Sequence, residues 1–328
     1  MPNINLYGDI SPRTAAVASK MLLERAIPYL CLEKFGDGKP VDRRTSKAVT
    51  FRRYESLAHD PKYLVEGVTP DGSPMTFTDV TATLRQMGDR IGLSDVVIDT
   101  HEDPALEEAM DLLGEQAGRM IESARWGVVS ATSSVEYANG VSDSDVNTTF
   151  DLQMHRRMLR AIKRQNGTPF TKIVRSTPSY GHVGIAPSFI GLTHPDVENV
   201  IRDIPGYKDP IDYGSVSPWE NEIGALPGVR FVSSTIFEPL ADAGGAAGSM
   251  LSTSGTNADV YPILYVARHS YGIVPLKGRA AATPMVVNPR PSDSDPMAQR
   301  AHASWKAMQT AVILNDLWMS CGRVAIPA

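Results

Sequence analysis

The sequence predicts an α+β protein in which extended segments accompany a mixed, compact remainder. Three observations predict this class. Apolar side chains recur every three or four residues from Pro104 to about Ala131, as in one very long helix. Residues 46–98 are rich in β-branched and aromatic residues around a turn-forming centre, as in a hairpin. Short strand patterns separated by turns occupy residues 168–290.

Composition limits the class of protein further. The chain has 328 residues, enough for one large domain or two ordinary ones, and 42% of them are hydrophobic. Its net charge of −5 argues against a protein whose whole surface binds nucleic acid. Two distant cysteines, Cys31 and Cys321, cannot form a disulfide framework, and we expect buried thiols in a reducing compartment. We recognise no signal peptide and no apolar run long enough to cross a bilayer, so synthesis in the cytoplasm is expected.

The first 45 residues are interpreted as an arm. Ala15, Ala18, Leu22 and Leu23 share one face of a short helical pattern, which Pro28 limits. A turn-rich, basic linker, "GDGKPVDRRTSK", follows it. We therefore predict that residues 1–45 do not form a compact unit.

Residues 46–98 are predicted to form a long, polar hairpin. "KAVTFRRYESL" is typical of a strand, and "MTFTDVTATLRQMGDRIGLSDVVI" of one or two more. The prolines and glycines of "GVTPDGSPM" between them predict a turn. Such a hairpin has few residues to bury and is marginal alone. It needs another surface to lie on, which indicates oligomerisation.

The long helix is predicted to bury one apolar stripe and to expose a charged face. At 1.5 Å per residue it would be roughly 40 Å long. Glu115 and Arg119 have the spacing of a favourable pair, and Gly114 and Gly118 indicate close approach of a neighbouring backbone. The residues predicted to face inward are Leu106, Ala109, Met110, Leu113, Ala117, Ile121, Ala124, Val128 and Ala131.

A second helix, "FDLQMHRRMLRAIKRQNG", is predicted to be basic on one side and apolar on the other, ending at Gly167. Its basic residues are Arg156, Arg157, Arg160, Lys163 and Arg164. They could be solvated, could contact phosphates, or could pair with the acidic face of the long helix, formed by Glu107, Glu108, Asp111 and Glu115. The net acidity of the chain favours pairing or solvation. The residues predicted to face inward are Phe150, Met154, Met158, Ala161 and Ile162.

The rest of the chain is predicted to contain short strands and one short helix. "SFIGLTH", "VRFVSSTIF", "VYPILYVA" and the apolar middle of "ASWKAMQTAVILNDLWMSCGRVAI" are typical of strands. "PDVENVIRDIPG" indicates a helix between prolines. The small, polar stretch "ADAGGAAGSMLSTSGTNAD" is expected to be a mobile surface loop.

No motif in the sequence predicts catalysis. The acids around His101 could suggest a metal site, but Asp103 before Pro104 suits the N-cap of the long helix, and acids favour its first turns. "FGDGKP" and "GGAAGSM" lack the spacing of a phosphate-binding loop. We expect no catalytic residue, no cofactor and no metal, and we interpret the extended parts as those of a self-assembling structural protein.

The order of these pieces resembles the major capsid proteins of tailed phages with the Hong Kong 97-type fold, and more narrowly those of the N-four-like phages. The matching stretches follow the family order over most of the chain. They are "YGDISPRTAAVASKMLLERAIPYL", "FRRYESL", "LVEGVTPDG", "TFTDVTATLRQMGD", "DTHEDP", "ALEEAMDLLGEQAG", "RWGV", "IRDIPGY", "YPILYVARHSYGIVPLKG" and "AVILNDLWM".

The resemblance implies a division of the chain and a function. It implies an N-terminal arm over 1–45, an extended loop over 46–98, a peripheral domain with a spine helix over 99–167, an axial domain over 168–275 and a return to the peripheral domain over 276–328. Hexamers and pentamers of the chain would close an icosahedral shell around the phage genome, in a virion assembled in the host cytoplasm. Scaffold, portal and decoration proteins are possible partners, packaged double-stranded DNA is a weak and non-specific one, and no membrane is involved.

Charged residues on the hairpin and on the second helix are the candidate subunit contacts. We expect rim charges to set register more than strength. The candidates are Arg52, Arg53, Glu66, Arg156, Arg157 and Arg160.

Three other functions stay open at this point. A nanocompartment shell of the same fold would enclose a cargo enzyme. A metal-dependent hydrolase would use His101, Glu102 and Asp103. A DNA-organising protein would use the basic helix.

Overall fold

The computed structural model describes residues 30–328 except 59, 62, 64–65, 68, 70–71, 101–104, 175–181, 214–217, 277–281, 288, 290 and 292–294. Three predictions lie outside these residues. They are the short helix of the N-terminal arm, the proposed N-cap at Asp103, and the group of His101, Glu102 and Asp103.

The elements follow the predicted order. The α-helices are α1 (Asp95–Thr100), α2 (Ala105–Val129), α3 (Leu152–Arg164) and α4 (Glu198–Arg202). The strands are β1 (Asp37–Gly38), β2 (Ala48–Tyr54), β3 (Phe77–Thr83), β4 (Arg85–Ser94), β5 (Val135–Tyr137), β6 (Phe170–Val174), β7 (His182–Thr193), β8 (Glu222–Leu226), β9 (Val229–Ser233), β10 (Tyr261–Val266), β11 (Tyr271–Pro275), β12 (Thr283–Val287), β13 (Arg300–Ile313) and β14 (Met319–Val324).

The described strands form three sheets. The first sheet has the order β1-β11-β13-β12, and β4 pairs with the other edge of β13. The second has the order β5-β14-β10-β7-β9-β8, with β6 also paired to β7. The third is the isolated hairpin of β2 and β3. Most pairs are antiparallel, and the parallel ones are β1–β11, β5–β14 and β7–β9.

The predicted long helix is confirmed as α2, which packs along β13 of the first sheet. Alternate residues of β13 point at the helix, and most of them are alanine, so helix and strand approach closely. Trp305 fills the centre of this layer, and its indole N–H donates to Gln116 Oε1 at 3.2 Å. The buried side chains of α2 there are Ala109, Met110, Leu113, Ala117 and Ile121.

The last third of α2 departs from the predicted stripe. Ala124 is exposed, whereas Glu122, Arg125, Trp126 and Val129 are buried. The buried positions continue at four-residue steps, from Ala117 and Ile121 to Arg125 and Val129. The prediction placed the apolar Ala124 on the buried face and left out the charged Glu122 and Arg125, because a charged side chain is rarely buried without a partner.

The second sheet separates two core clusters. On one face of β10, Ile263 and Tyr265 pack with α3 and α4. On the other face, Leu264 and Val266 pack with Trp126 near the end of α2. The alternation of strand side chains therefore fills both sides of this sheet. Of the residues predicted to face inward from the second helix, Phe150, Met154, Met158 and Ile162 are buried, which confirms the amphipathic pattern of α3.

Three segments differ from the predictions near the N-terminus. Residues 30–41, predicted as part of the arm, contribute the buried side chains of Cys31, Leu32, Phe35 and Val41 to the core, and Phe35 packs between Phe170 and Trp219. Strand β4 pairs along its whole length with β13, so it belongs to the first sheet and not to the hairpin. "SDVVI" was predicted as strand and forms α1, with the Ser94 hydroxyl near the Val97 N–H at 3.4 Å.

Strand pairing also moves the predicted boundaries between domains. Strand β11 lies before residue 276 but pairs with β13 of the first sheet. Strand β14 lies after residue 276 but pairs with β10 of the second sheet. Helix α3 lies before residue 168 and also packs on the second sheet. Sheets join segments that are far apart in sequence, so no single cut of the chain separates them.

The stretch predicted as a mobile loop is held by backbone hydrogen bonds. The backbone N–H of Gly244 donates to the carbonyl of Ala258, and the N–H of Ala258 donates to the carbonyl of Gly245. The N–H of Gly245 donates to the carbonyl of Val146. The carboxylate of the fully buried Asp259 accepts from the backbone N–H of Asp242 and Thr253, both at 2.9 Å. Small residues allow this tight winding. Their low hydrophobicity had indicated mobility instead.

A glycine in the middle of the second sheet leaves room for two aromatic rings. Gly191 pairs with Phe231 on one side and Tyr265 on the other, and a Cβ there would lie 2.8 Å and 3.2 Å from their rings. We expect Gly191→Ala to lower the free energy of unfolding by about 1–3 kcal/mol, the usual cost of overpacking. Denaturant unfolding of the unassembled chain measures it. Gly38→Ala, where a Cβ meets nothing within 4 Å, is the matched control, and equal stability of the two variants would contradict the explanation.

Candidate assembly surfaces

The hairpin of β2 and β3 exposes apolar side chains at its outer end. Its inner part packs on the rest of the chain, where Ala82 and Leu84 join a small cluster with Val41 and Val274, and Val49 and Phe51 pack against that cluster. Farther out, Tyr54 is 59% exposed and Phe77 52%. An isolated two-stranded hairpin with such side chains in water is marginally stable, so this surface requires a partner.

The three predicted contact residues of the hairpin have different environments. The Arg52 guanidinium donates to both carboxylate oxygens of Asp79, at 2.8 Å and 2.7 Å, and stacks over the Phe77 ring. These hydrogen bonds lower the pKa of the Asp79 carboxyl. Arg53 and Glu66 are exposed. Arg52 therefore already sets the register of its own hairpin, while Arg53 and Glu66 are open to a neighbour.

The second helix does not meet the acidic face of the first within the chain. It packs on β14 and β5 of the second sheet, and Arg157 lies 3.6 Å from Glu136 on β5 and donates to the Tyr137 carbonyl. Glu115 pairs with Arg119 at 2.8 Å, as their spacing predicted. The interpretation that the basic residues of α3 pair with the acidic face of α2 is thus wrong within one subunit. Arg156 and Arg160 point to solvent.

A buried histidine lies directly under this basic surface. His155 is 2% exposed, and its Nδ1 is 2.7 Å from the hydroxyl of Tyr265. Its Nε2 is 3.3 Å from the carbonyl of Pro227. The geometry fits a neutral ring, because the carbonyl needs a donor and the hydroxyl can then donate to Nδ1. Burial lowers the pKa of His155, the Pro227 carbonyl opposes this, and the charges of Arg156 and Lys163 lower it further.

This lowered pKa makes stability depend on pH. The folded chain disfavours protonation of His155, so its contribution is fully present above the unfolded pKa of about 6.5 and is lost as the pH falls below it. We expect His155→Gln to flatten the decrease in stability between pH 7 and pH 5, measured by denaturant unfolding. Tyr265→Phe keeps the buried imidazole and should keep the decrease. An unchanged pH profile in His155→Gln would contradict this assignment.

A buried ion pair fixes the chain where the arm enters the domain. Oε1 of the fully buried Glu122 accepts from the backbone N–H of Cys31 at 2.8 Å and of Leu32 at 2.6 Å. Arg125 lies 3.5 Å from the other oxygen of Glu122 and reaches Glu33 and Gln309 at 3.2 Å and 2.5 Å. Burial raises the pKa of the Glu122 carboxyl, although Arg125 and the two N–H groups oppose this.

The sequence carried little signal for this ion pair. Glu122 and Arg125 are three residues apart, a spacing that also occurs on solvated helices. The observation that could have located the pair is the regular spacing of buried residues along α2, which places Glu122 and Arg125 on the buried face.

The described residues contain neither a group of acids, histidines and cysteines able to hold a metal ion nor a helix long and apolar enough to cross a membrane. Cys31 and Cys321 are both free and buried, as the sequence predicted. Burial raises the pKa of the Cys321 thiol to about 11, so this thiol stays protonated at neutral pH.

Comparison with known proteins gives a consistent picture. A family model described as a phage capsid protein matches residues 78–283, which is well over half of the chain. The comparison with curated proteins finds no match.

Among solved structures, the capsid of Ralstonia phage GP4 is similar with a TM-score of 0.68 and 11% identity, covering 89% of this chain and 87% of that one. The capsid of cyanophage Pam1 has a TM-score of 0.63 and 14% identity, with 93% and 92% covered. The holo-SrpI encapsulin complex of Synechococcus elongatus has a TM-score of 0.53 and 10% identity, with 92% and 88% covered.

Proposed function

Because the chain belongs to the phage capsid protein family, we propose that it is the major subunit of a phage head, self-assembling through hexamers and pentamers into an icosahedral shell around the genome. It has the Hong Kong 97-type fold of tailed-phage capsids. One observation carries the proposal at the level of mechanism. The hairpin of β2 and β3 leaves Tyr54 and Phe77 more than half exposed, and another copy of the chain can cover them.

The proposed architecture follows the sheets and not single stretches of sequence. The peripheral domain comprises α2 with the first sheet, and the axial domain comprises the second sheet with α3 and α4. The extended loop is limited to the hairpin between residues 48 and 83. Residues 30–41 are left out of the proposed arm, because Leu32, Phe35 and Val41 are buried in the core. The narrower resemblance to N-four-like phages stays a prediction.

Charged residues are proposed to adjust the contacts between copies. Arg53 and Glu66, both exposed on the hairpin, are candidates for contact with the adjacent subunit. Arg52 acts indirectly by keeping β2 and β3 in register through Asp79. Each such contact is weak by itself, and closure of the shell depends on its repetition by symmetry.

The partners beyond self-association are proposed from the family. Assembly would take place in the host cytoplasm, with scaffold and portal proteins, and decoration proteins could bind the finished shell. The packaged DNA would be held by weak, non-specific contacts, since the net charge of −5 keeps the shell from binding DNA strongly. Members of a capsid family are structural, and we propose no catalytic role for this chain.

The proposal is tested by expressing the full chain and measuring the size of the product. We expect shell-like particles of megadalton mass, seen by electron microscopy and light scattering, from the chain alone or with the scaffold protein of its phage. A chain that stays monomeric in both conditions would overturn the proposal.

A nanocompartment shell is the second candidate, and the similarity to an encapsulin is the observation that favours it. Both functions require the same subunit contacts, so the contents of purified particles distinguish them. Nuclease-protected DNA supports the phage head, whereas a co-purifying cargo enzyme supports the nanocompartment.

The hydrolase alternative rests on His101, Glu102 and Asp103, which lie outside the described residues. It predicts bound metal in the purified chain. Particles that assemble normally with His101→Ala, and that contain no metal, would leave it without support.

A further inference from the structure

The solvent side of α3 carries four basic side chains in one stripe. Arg156, Arg160, Lys163 and Arg164 are all exposed. Together with Leu159 they line a shallow groove of about 410 Å³. Within the part of the chain that the structure describes, none of the four makes an ion pair, in contrast to Arg157 beside Glu136. The stripe is thus a concentration of positive charge on a chain that is acidic overall.

The positive charge of the stripe affects the pKa of a neighbouring group. The charges of Arg156 and Lys163 contribute to the lowered pKa of the buried His155. Leu159 borders Gly228, which also lines an adjacent cavity of about 440 Å³ containing the exposed Lys208. Asp212 is the acidic residue of that cavity. Beyond the helix the exposed charges of Lys208 and Asp212 are of opposite sign, so the net positive surface is the stripe on α3 itself.

The composition of the stripe favours a polyanion over a protein partner. The exposed large apolar side chains of the described chain lie on the hairpin and elsewhere, and none lies on α3. A stable protein interface needs a desolvated, largely apolar centre, which this surface lacks. Contact with nucleic acid phosphates needs only accessible cations, and arginine suits the geometry of phosphate oxygens.

We propose that this basic stripe is the surface through which each copy of the chain contacts the phosphates of the double-stranded DNA inside the shell. The proposal rests on the proposed function, because it takes the enclosed polymer to be DNA. It places α3 on the inner side of the shell. Four charges per copy give a weak contact that depends on salt and not on sequence, so packaged DNA can still move along the wall.

The test measures binding of a short, fluorescently labelled DNA duplex to the full-length chain at subunit concentrations below those of assembly. The test variant is Arg156→Gln/Arg160→Gln/Lys163→Gln. The control, Lys47→Gln/Arg85→Gln/Arg90→Gln, changes the net charge equally at exposed positions elsewhere. Each variant is titrated by fluorescence anisotropy between about 50 and 200 mM salt, and particle formation is followed by electron microscopy.

If the stripe contacts phosphates, the test variant binds the duplex more weakly, and the slope of log affinity against log salt falls by about 2–3 for three lost contacts. The control then keeps the wild-type slope, and both variants still assemble. Equal binding by wild type and test variant would overturn the proposal. So would a folded test variant that no longer assembles, because the stripe would then face a neighbouring copy. If the wild-type chain forms no shell either alone or with the scaffold protein, the proposed function fails, while the titration still decides whether the stripe binds DNA.

Discussion

Deletion of residues 60–75 is expected to leave a folded, soluble subunit that no longer closes a shell. The backbone N–H of Glu55 donates to the carbonyl of Thr76 at 3.0 Å and holds the two strands together beyond Tyr54 and Phe77. Residues 56–59 then suffice to connect the two strands, since hairpin loops of four or five residues are common. The base of the hairpin, with Ala82 and Leu84 in its core cluster, is untouched. The subunit therefore keeps its stability and loses the outer part of the hairpin, beyond Tyr54 and Phe77, that is proposed to contact a neighbour.

Circular dichroism and electron microscopy separate folding from assembly for this variant. A narrower change is Tyr63→Ser at a side chain that is 90% exposed, and we expect it to reduce the yield of particles. Val141→Ser, at a side chain that is 86% exposed outside the hairpin, is the matched control. Normal particles from the deletion variant would refute the role of the hairpin in assembly.

Arg125→Met is expected to cause a large loss of stability. The side chain of Arg125 is 3% exposed and that of Glu122 is fully buried. Removing the guanidinium leaves the Glu122 carboxylate buried without its counter-ion, which typically costs about 3–5 kcal/mol. Methionine retains the length of the aliphatic stem, so the loss reports the charge and not a cavity. Denaturant unfolding of the unassembled chain measures the difference.

Arg119→Met on the same helix provides the control for Arg125→Met. Arg119 is 60% exposed and pairs with Glu115 four residues earlier, so its loss should cost at most about 0.5 kcal/mol. The double variant Glu122→Gln/Arg125→Met should recover part of the stability, because a neutral amide needs no counter-ion. Similar stabilities of Arg125→Met and Arg119→Met would contradict the structural role of the buried pair.

Lowering the pH is expected to reduce the loss of stability that Arg125→Met causes. Burial raises the pKa of Glu122 in the folded chain, so the ionised carboxylate opposes folding above that pKa. This cost shrinks as the pH falls through the folded pKa towards the unfolded value of about 4.3. We therefore expect the difference in stability between wild type and Arg125→Met to narrow in acid.

The order of the elements and the amphipathic faces could be predicted from sequence alone. The long helix, the basic helix and the strands "SFIGLTH" and "VYPILYVA" have patterns set by local spacing, and these patterns survive in the fold. The same holds for the salt bridge between Glu115 and Arg119, which needs only one helical turn. The resemblance in the order of these pieces was enough to predict the capsid family.

Contacts between distant segments were decided only by the tertiary structure. The sequence could not show that β4 leaves the hairpin for β13, that β14 returns to the second sheet, or that residues 30–41 enter the core. It also could not separate a solvated charge from a buried one, as Glu122 and Arg125 demonstrate. Local patterns reflect the period of one element, whereas pairing and burial depend on which distant partner supplies the matching edge, counter-ion or cavity.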